Sequence, residues 1–170
     1  MSKKSWSTWF KVCALFATLF VGAATLPVAA EEAACGGAAK DDEAALRRIF
    51  VDSMTQGIIK GLELTGRQVS PEQRTKIRAI ADESFPKIYA RIQAGGLCEE
   101  YKKQMFDKDI RNLDKKVLAA KTLQEVAPIA QEQMKLLREK YPKLFEFMNS
   151  DKEMGAATME MLQKIAAAVK

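Results

Sequence analysis

From Leu46 to Val169 large apolar side chains recur three or four residues apart, and sustained alternation is absent. That spacing follows the 3.6-residue turn of an α-helix and not the two-residue pleat of a strand. The nine glycines and five prolines among 170 residues are also too few to punctuate a series of short strands. An all-α fold follows: five or six helices that bury their stripes against one another, as a bundle or as paired antiparallel hairpins.

Caps and breakers set the helix limits. A first helix over about 42–63 carries Leu46, Ile49, Phe50, Met54 and Ile58 on one face, with Gly57, Gly61 and Gly66 weakening its later part. The second has the best-marked ends. Ser70 is an N-cap, Pro71 suits the first helical position, Gln73 completes a capping box, and Gly95-Gly96 supplies the stop. Ile77, Ile80, Ala81, Phe85, Ile88 and Ile92 line its buried face, and Pro86 inside it predicts a kink. A third helix over about 98–120 presents Tyr101, Met105, Ile110, Leu113 and Val117. Its Glu99 and Lys103, like Asp107 and Arg111, are spaced four apart in the favourable order.

Thr122 with Glu125 opens a further helix through Leu123, Val126, Ile129 or Ala130, Met134, Leu137 and Tyr141; Pro128 either kinks it or marks its start. Leu144, Phe145, Phe147 and Met148 form a short apolar turn or helix after Pro142. Ser150 with Glu153 then caps a last helix bearing Met154, Ala157, Met161, Leu162, Ile165 and Val169.

The first thirty residues stand apart from this pattern. Lys3, Lys4 and Lys11 precede an apolar run from Val12 to Val21, and small residues follow at Val28-Ala29-Ala30. These are the three parts of a removable secretion signal. A permanent anchor is the competing reading, but Val12 to Pro27 spans 16 residues, short of the ~20 that cross a bilayer as a helix. The chain therefore divides into a cleavable signal over 1–30, a flexible leader over 31–43, and one helical domain over 44–170. Once the signal is removed no membrane span is expected, and the location is periplasmic.

The net charge of +5 drops to +2 over residues 31–170, because three lysines and no acid lie in the signal. No basic run with interleaved aromatics occurs, so a nucleic-acid partner is not expected. Two cysteines remain, Cys35 and Cys98. In an oxidising compartment an even pair most often forms a structural disulfide, and closing that loop stabilises by about 4 kcal/mol on the chain-entropy model. A redox-active pair or a metal site are the alternatives, but redox cysteines normally sit two residues apart.

The chain contains no histidine. That removes imidazole bases, Ser-His and Cys-His nucleophiles, and histidine metal ligands. No phosphate-cradling glycine loop occurs either. Carboxylate pairs such as Glu99-Glu100 lie at helix-surface spacing and read as a solvated face. Met154, Met159 and Met161 are the one soft-ligand set that could suit copper(I). Met154 and Met161, however, are seven apart on the buried stripe, where methionine fills core gaps. The reading is a non-enzyme with no catalytic residue, metal or cofactor. Leu144, Phe145, Phe147 and Met148 place four large apolar groups in five residues. They either plug one end of the core or form an exposed patch that grips a protein partner.

The segment Val69-Ser70-Pro71-Glu72-Gln73 resembles the helix-opening box of the Spy/CpxP-like periplasmic proteins, whose hallmark is Leu-Thr-x-x-Gln; a literal Leu64-Thr65-x-x-Gln68 lies just upstream. The resemblance implies a cradle of helices that shields unfolded clients or senses envelope stress without ATP. The functional expectation is an exported helical binding protein whose partner is another protein or an unfolded client in the envelope. The alternative is a periplasmic inhibitor or immunity protein that neutralises one enzyme or toxin.

Overall fold

The computed structural model describes residues 40–170, which form seven helices and no strand: α1 (Lys40–Leu64), α2 (Pro71–Ala94), α3 (Cys98–Phe106), α4 (Lys108–Ala119), α5 (Leu123–Lys140), α6 (Pro142–Ser150) and α7 (Lys152–Ala168). The signal, Cys35 and the leader as far as residue 39 lie outside the described residues. Residues 40–43, assigned above to the leader, belong to α1.

Helix α2 is the centre. It packs against α1 on one side and α7 on the other, while α4 and α5 pair with each other and lean on α1. Salt bridges give the direction of each pair. Arg47 with Asp82, Asp52 with Arg78, and Glu63 with Arg74 climb α1 while descending α2, so the two run antiparallel. Lys87 with Glu160 and Arg91 with Asp151 do the same for α2 and α7. Asp114 with Gln133 and Asp109 with Lys140 do it for α4 and α5. Most of these groups are well exposed, so the pairs mark register more than they stabilise.

Being covered on two sides, α2 buries Ile77, Ala81, Phe85, Ile88 and Ile92 and adds Tyr89 and Ser84. On α1 the buried arc rotates from the expected stripe. Val51, Thr55, Ile59 and Leu62 are buried beside Leu46 and Phe50, and Met54 and Ile58 pack at the margin. Contact with both α2 and α4 widens the arc that must be apolar. Phe50, Phe85, Tyr89 and Tyr101 join α1, α2 and α3 through ring contacts of 5.5, 5.2 and 6.2 Å between centroids. Val117, Ala120 and Val126 make a second, smaller core at the tip of the α4–α5 hairpin.

The capping box at Ser70 forms as the spacing predicts: Ser70 Oγ accepts from the Gln73 amide, and Gln73 Oε1 accepts from the Ser70 amide. Gly96, at a φ of 65°, takes the left-handed position that ends α2, and the Leu97 amide then reaches back to the Ile92 carbonyl. Helix α2 continues unbroken through Pro86, and α5 begins at Leu123 and runs through Pro128.

Three expectations need correction. The third helix is split at Asp107, which ends α3 with extended backbone (ψ 123°) and caps α4. Asp107 Oδ1 accepts from the amides of Asp109 and Ile110, a local alternative that competes with continued helix. The same side chain turns to Lys140 and Tyr141 rather than to Arg111. This split accounts for the seventh helix. The last helix is capped by Asp151 and not by Ser150, because Asp151 accepts from the Met154 amide while also holding Arg91.

Candidate functional site

The 144–148 cluster folds as α6, and its four apolar groups go to different places. Leu144 is core, 1% exposed. Phe147 packs on the core beside Gly95, at the corner between α2 and α3. Phe145, half-buried, and Met148, which like Phe147 also packs on the core, line a shallow apolar depression with Leu137, Tyr141, Leu144 and Gln104. The depression therefore lies where α3, α5 and α6 meet.

Each wall is held for a physical reason. Helix α6 has no side-chain cap of its own; Glu100, on α3, supplies one by accepting from the Leu144 amide at 3.1 Å. Glu100 is thus a tether between helices rather than part of a solvated face. The end of α5 is fixed by Asp107, whose Oδ2 accepts from Tyr141 Oη at 2.8 Å and Lys140 Nζ at 3.0 Å. Burial works against ionisation of Asp107. Hydrogen bonds from Tyr141, Lys140 and the Ile110 and Asp109 amides outweigh it and hold the carboxyl at about 2. Burial, and then the bond to that carboxylate, push the Tyr141 phenol up to about 12. The Phe145 ring is backed by the Arg138 guanidinium, 5.3 Å from its centroid.

The depression has a volume of about 10 Å³, room for one water-sized group, and is open to solvent. Its lining is almost wholly apolar except for Gln104, whose Oε1 is buried with no hydrogen-bond partner. Such an orphaned acceptor costs free energy until a donor reaches it.

Sequence reading singled out Leu144, Phe145, Phe147 and Met148; the structure brings Phe145 and Met148 together at an accessible rim. It missed Gln104, Leu137 and Tyr141. The latter two were legible as helix-face residues, whereas a lone glutamine on a charged helix gives no signal. Of the three methionines considered for copper, Met154 and Met161 are 2% and 1% exposed within the core, and Met159 is 42% exposed. Among the described residues no group of three or more histidine, cysteine or carboxylate side chains converges as a metal site. Cys98 is buried at the first turn of α3. No described helix is long and apolar enough to cross a membrane.

No family model, curated protein or solved structure matches this chain.

Proposed function

We propose that this protein is a non-enzymatic, exported helical binding protein that holds apolar segments of unfolded or partly folded proteins in the periplasm, as a chaperone or envelope-stress accessory. The observation that carries the reading is the apolar depression at the α3–α5–α6 junction, with Phe145 and Met148 half-open at its rim. A shallow apolar recess walled by a polarizable thioether and an aromatic ring suits clients of varied sequence, because methionine adapts its shape to what it meets. The signal-like pattern over 1–30 supports a location for such clients outside the cytoplasm. A Cys35–Cys98 disulfide belongs to the same proposal, tying the leader to the first turn of the helix that bears Gln104. Kinship with Spy/CpxP-like proteins is a further part of it, resting on the Val69–Gln73 helix opening.

The test is light scattering of guanidinium-unfolded malate dehydrogenase diluted into buffer with and without the purified chain. Delayed aggregation, lost in Phe145→Ser/Met148→Ser, supports the reading. Unchanged aggregation, together with failure to recover any envelope protein by affinity capture, refutes it. Cell fractionation checks the location, and a cytosolic full-length chain with free thiols would refute export.

A further inference from the structure

The small net charge of the helical domain conceals an uneven distribution. Where α2 packs on α1 and α7, basic side chains are committed to partners: Arg47, Arg74, Arg78, Lys87 and Arg91 each hold a carboxylate across a helix pair. Helix α4 differs. It buries Ile110, Leu113 and Val117, while Lys108, Arg111, Lys115 and Lys116 are all exposed. None of these four side chains makes an ion pair or a hydrogen bond among the described residues. At 100° per residue, Lys108, Arg111 and Lys115 form one row about 10 Å long opposite the buried stripe, with Lys116 on its shoulder.

The two acids of α4 do not cancel this row. Asp109 is held by Lys140 at 2.6 Å, and Asp114 turns to Gln133 of α5; Arg111 feels the Asp114 charge without bonding to it. At the head of the row Phe106, the last residue of α3, is 44% exposed, and only Met159 among the described large apolar side chains is comparably open. A cation row on one convex helix, which does not line the apolar recess, suits a broad anionic plane better than an extended chain. A lone ring is too few for nucleic acid, whose successive bases stack on successive aromatics. A bilayer surface accommodates both components, cations at anionic headgroups and an aromatic ring at the acyl boundary.

We propose that α4 and Phe106 form a docking face for anionic phospholipid surfaces. Lys108, Arg111, Lys115 and Lys116 meet lipid phosphates, and the Phe106 ring enters the headgroup boundary. This goes beyond the client binding proposed above and stands or falls separately from it.

The test uses the chain from Glu31, which keeps every residue of both cores and lacks the apolar run over 12–21 that would itself bind lipid. It is sedimented with vesicles of phosphatidylcholine alone or mixed equally with phosphatidylglycerol. Binding to the mixed vesicles is expected, with release at about 1 M salt, where screening shortens to about 3 Å. Lys108→Gln/Lys115→Gln should bind about twenty- to thirtyfold more weakly, or about fivefold for each cation. Lys76→Gln/Lys152→Gln removes the same charge from exposed, unpaired positions on α2 and α7 and should bind as wild type does. In Phe106→Trp, the only tryptophan of that chain should shift its emission to the blue on mixed vesicles.

Wild-type protein that binds neither vesicle, or both equally, overturns the proposal without any variant having to fold. An equal loss in the Lys76/Lys152 variant overturns it too, since net charge and not the row would then be responsible. An unshifted tryptophan removes Phe106 from the interface and sinks the proposal as stated. Soluble polyglutamate that displaces the protein from vesicles, and binds in the same variant-dependent way, would assign the row to an acidic protein instead.

Discussion

Replacing Gly95 with alanine tests whether Phe147 is part of the scaffold or part of a surface. A Cβ built at Gly95 would lie 2.9, 3.0 and 3.3 Å from three atoms of the Phe147 ring, inside ordinary van der Waals contact. The backbone itself raises no objection, because Gly95 sits at φ −80° and ψ −2°, where alanine is at ease. On backbone grounds alone Gly95→Ala would stabilise by about 0.4–1 kcal/mol. Forcing the ring aside by several tenths of an ångström costs about 1–3 kcal/mol, as overpacking does elsewhere. The steric term wins, and a net loss of about 1 kcal/mol is expected.

In Phe147→Ala the steric term vanishes, so adding Gly95→Ala should change sign and stabilise. The double-mutant cycle then gives a coupling of about 2 kcal/mol, well above the error for independent sites. Urea unfolding of the four proteins by far-UV circular dichroism measures it, since with a slope of about 1–3 kcal/mol/M each kilocalorie moves the midpoint visibly. A Gly95→Ala protein that is as stable as wild type, or equally destabilised with and without the Phe147 ring, refutes the placement of that ring against the α2–α3 corner. The same Phe147→Ala variant should still delay client aggregation, because Phe147 does not line the depression.

Three further outcomes follow from named contacts. Asp107→Asn keeps the Oδ1 cap of α4, because asparagine caps as well as aspartate, but should destabilise by about 1–2 kcal/mol through the lost charged contacts to Lys140 and Tyr141. Because the folded carboxyl titrates at about 2, below its unfolded value, this stability is complete above about pH 4 and disappears as pH falls toward 2. Urea midpoints for wild type and Asp107→Asn should therefore converge across that window; a constant gap would refute the assignment. Asp114 behaves in the opposite sense. Burial raises it despite the hydrogen bond from Gln133 and the charge of Arg111, so its ionised form weighs against the fold. Asp114→Asn should accordingly stabilise at pH 7, with the gain fading as pH falls through the raised folded value and gone once pH is below the ordinary unfolded carboxyl value; a loss at pH 7 would contradict this. Ser70→Ala and Gln73→Ala should each cost about 1 kcal/mol or less, and the double variant less than their sum, because the two hydrogen bonds form one reciprocal box; strict additivity in urea midpoints would argue against it.

What could be read from residue order divides along a physical line. Interactions that close within four residues were legible. Ser70 with Gln73 and Thr122 with the Glu125 amide are written into spacing alone. The buried faces of α2, α4 and α7 followed from the 3.6 period with few errors, because a stripe is also a local property. What failed was set between helices. Asp107 is a local exception: it looks like the first member of an i,i+4 pair with Arg111 but caps α4 within three residues, and Lys140 and Tyr141, more than thirty residues later, hold its second oxygen. Ser150 and Asp151 are both acceptable caps by residue type, and Arg91, sixty residues away, favours the aspartate. The same division runs through the candidate site. Four apolar residues in five marked the segment 144–148, but neither periodicity nor composition could say that Gly95 leaves room for Phe147. Nor could they say that Glu100, on another helix, would supply the cap of α6. The shape of the recess is thus set by cross-helix contacts, which is why substitutions at Glu100 or Asp107, neither of which lines it, should alter that shape as substitutions on its walls do.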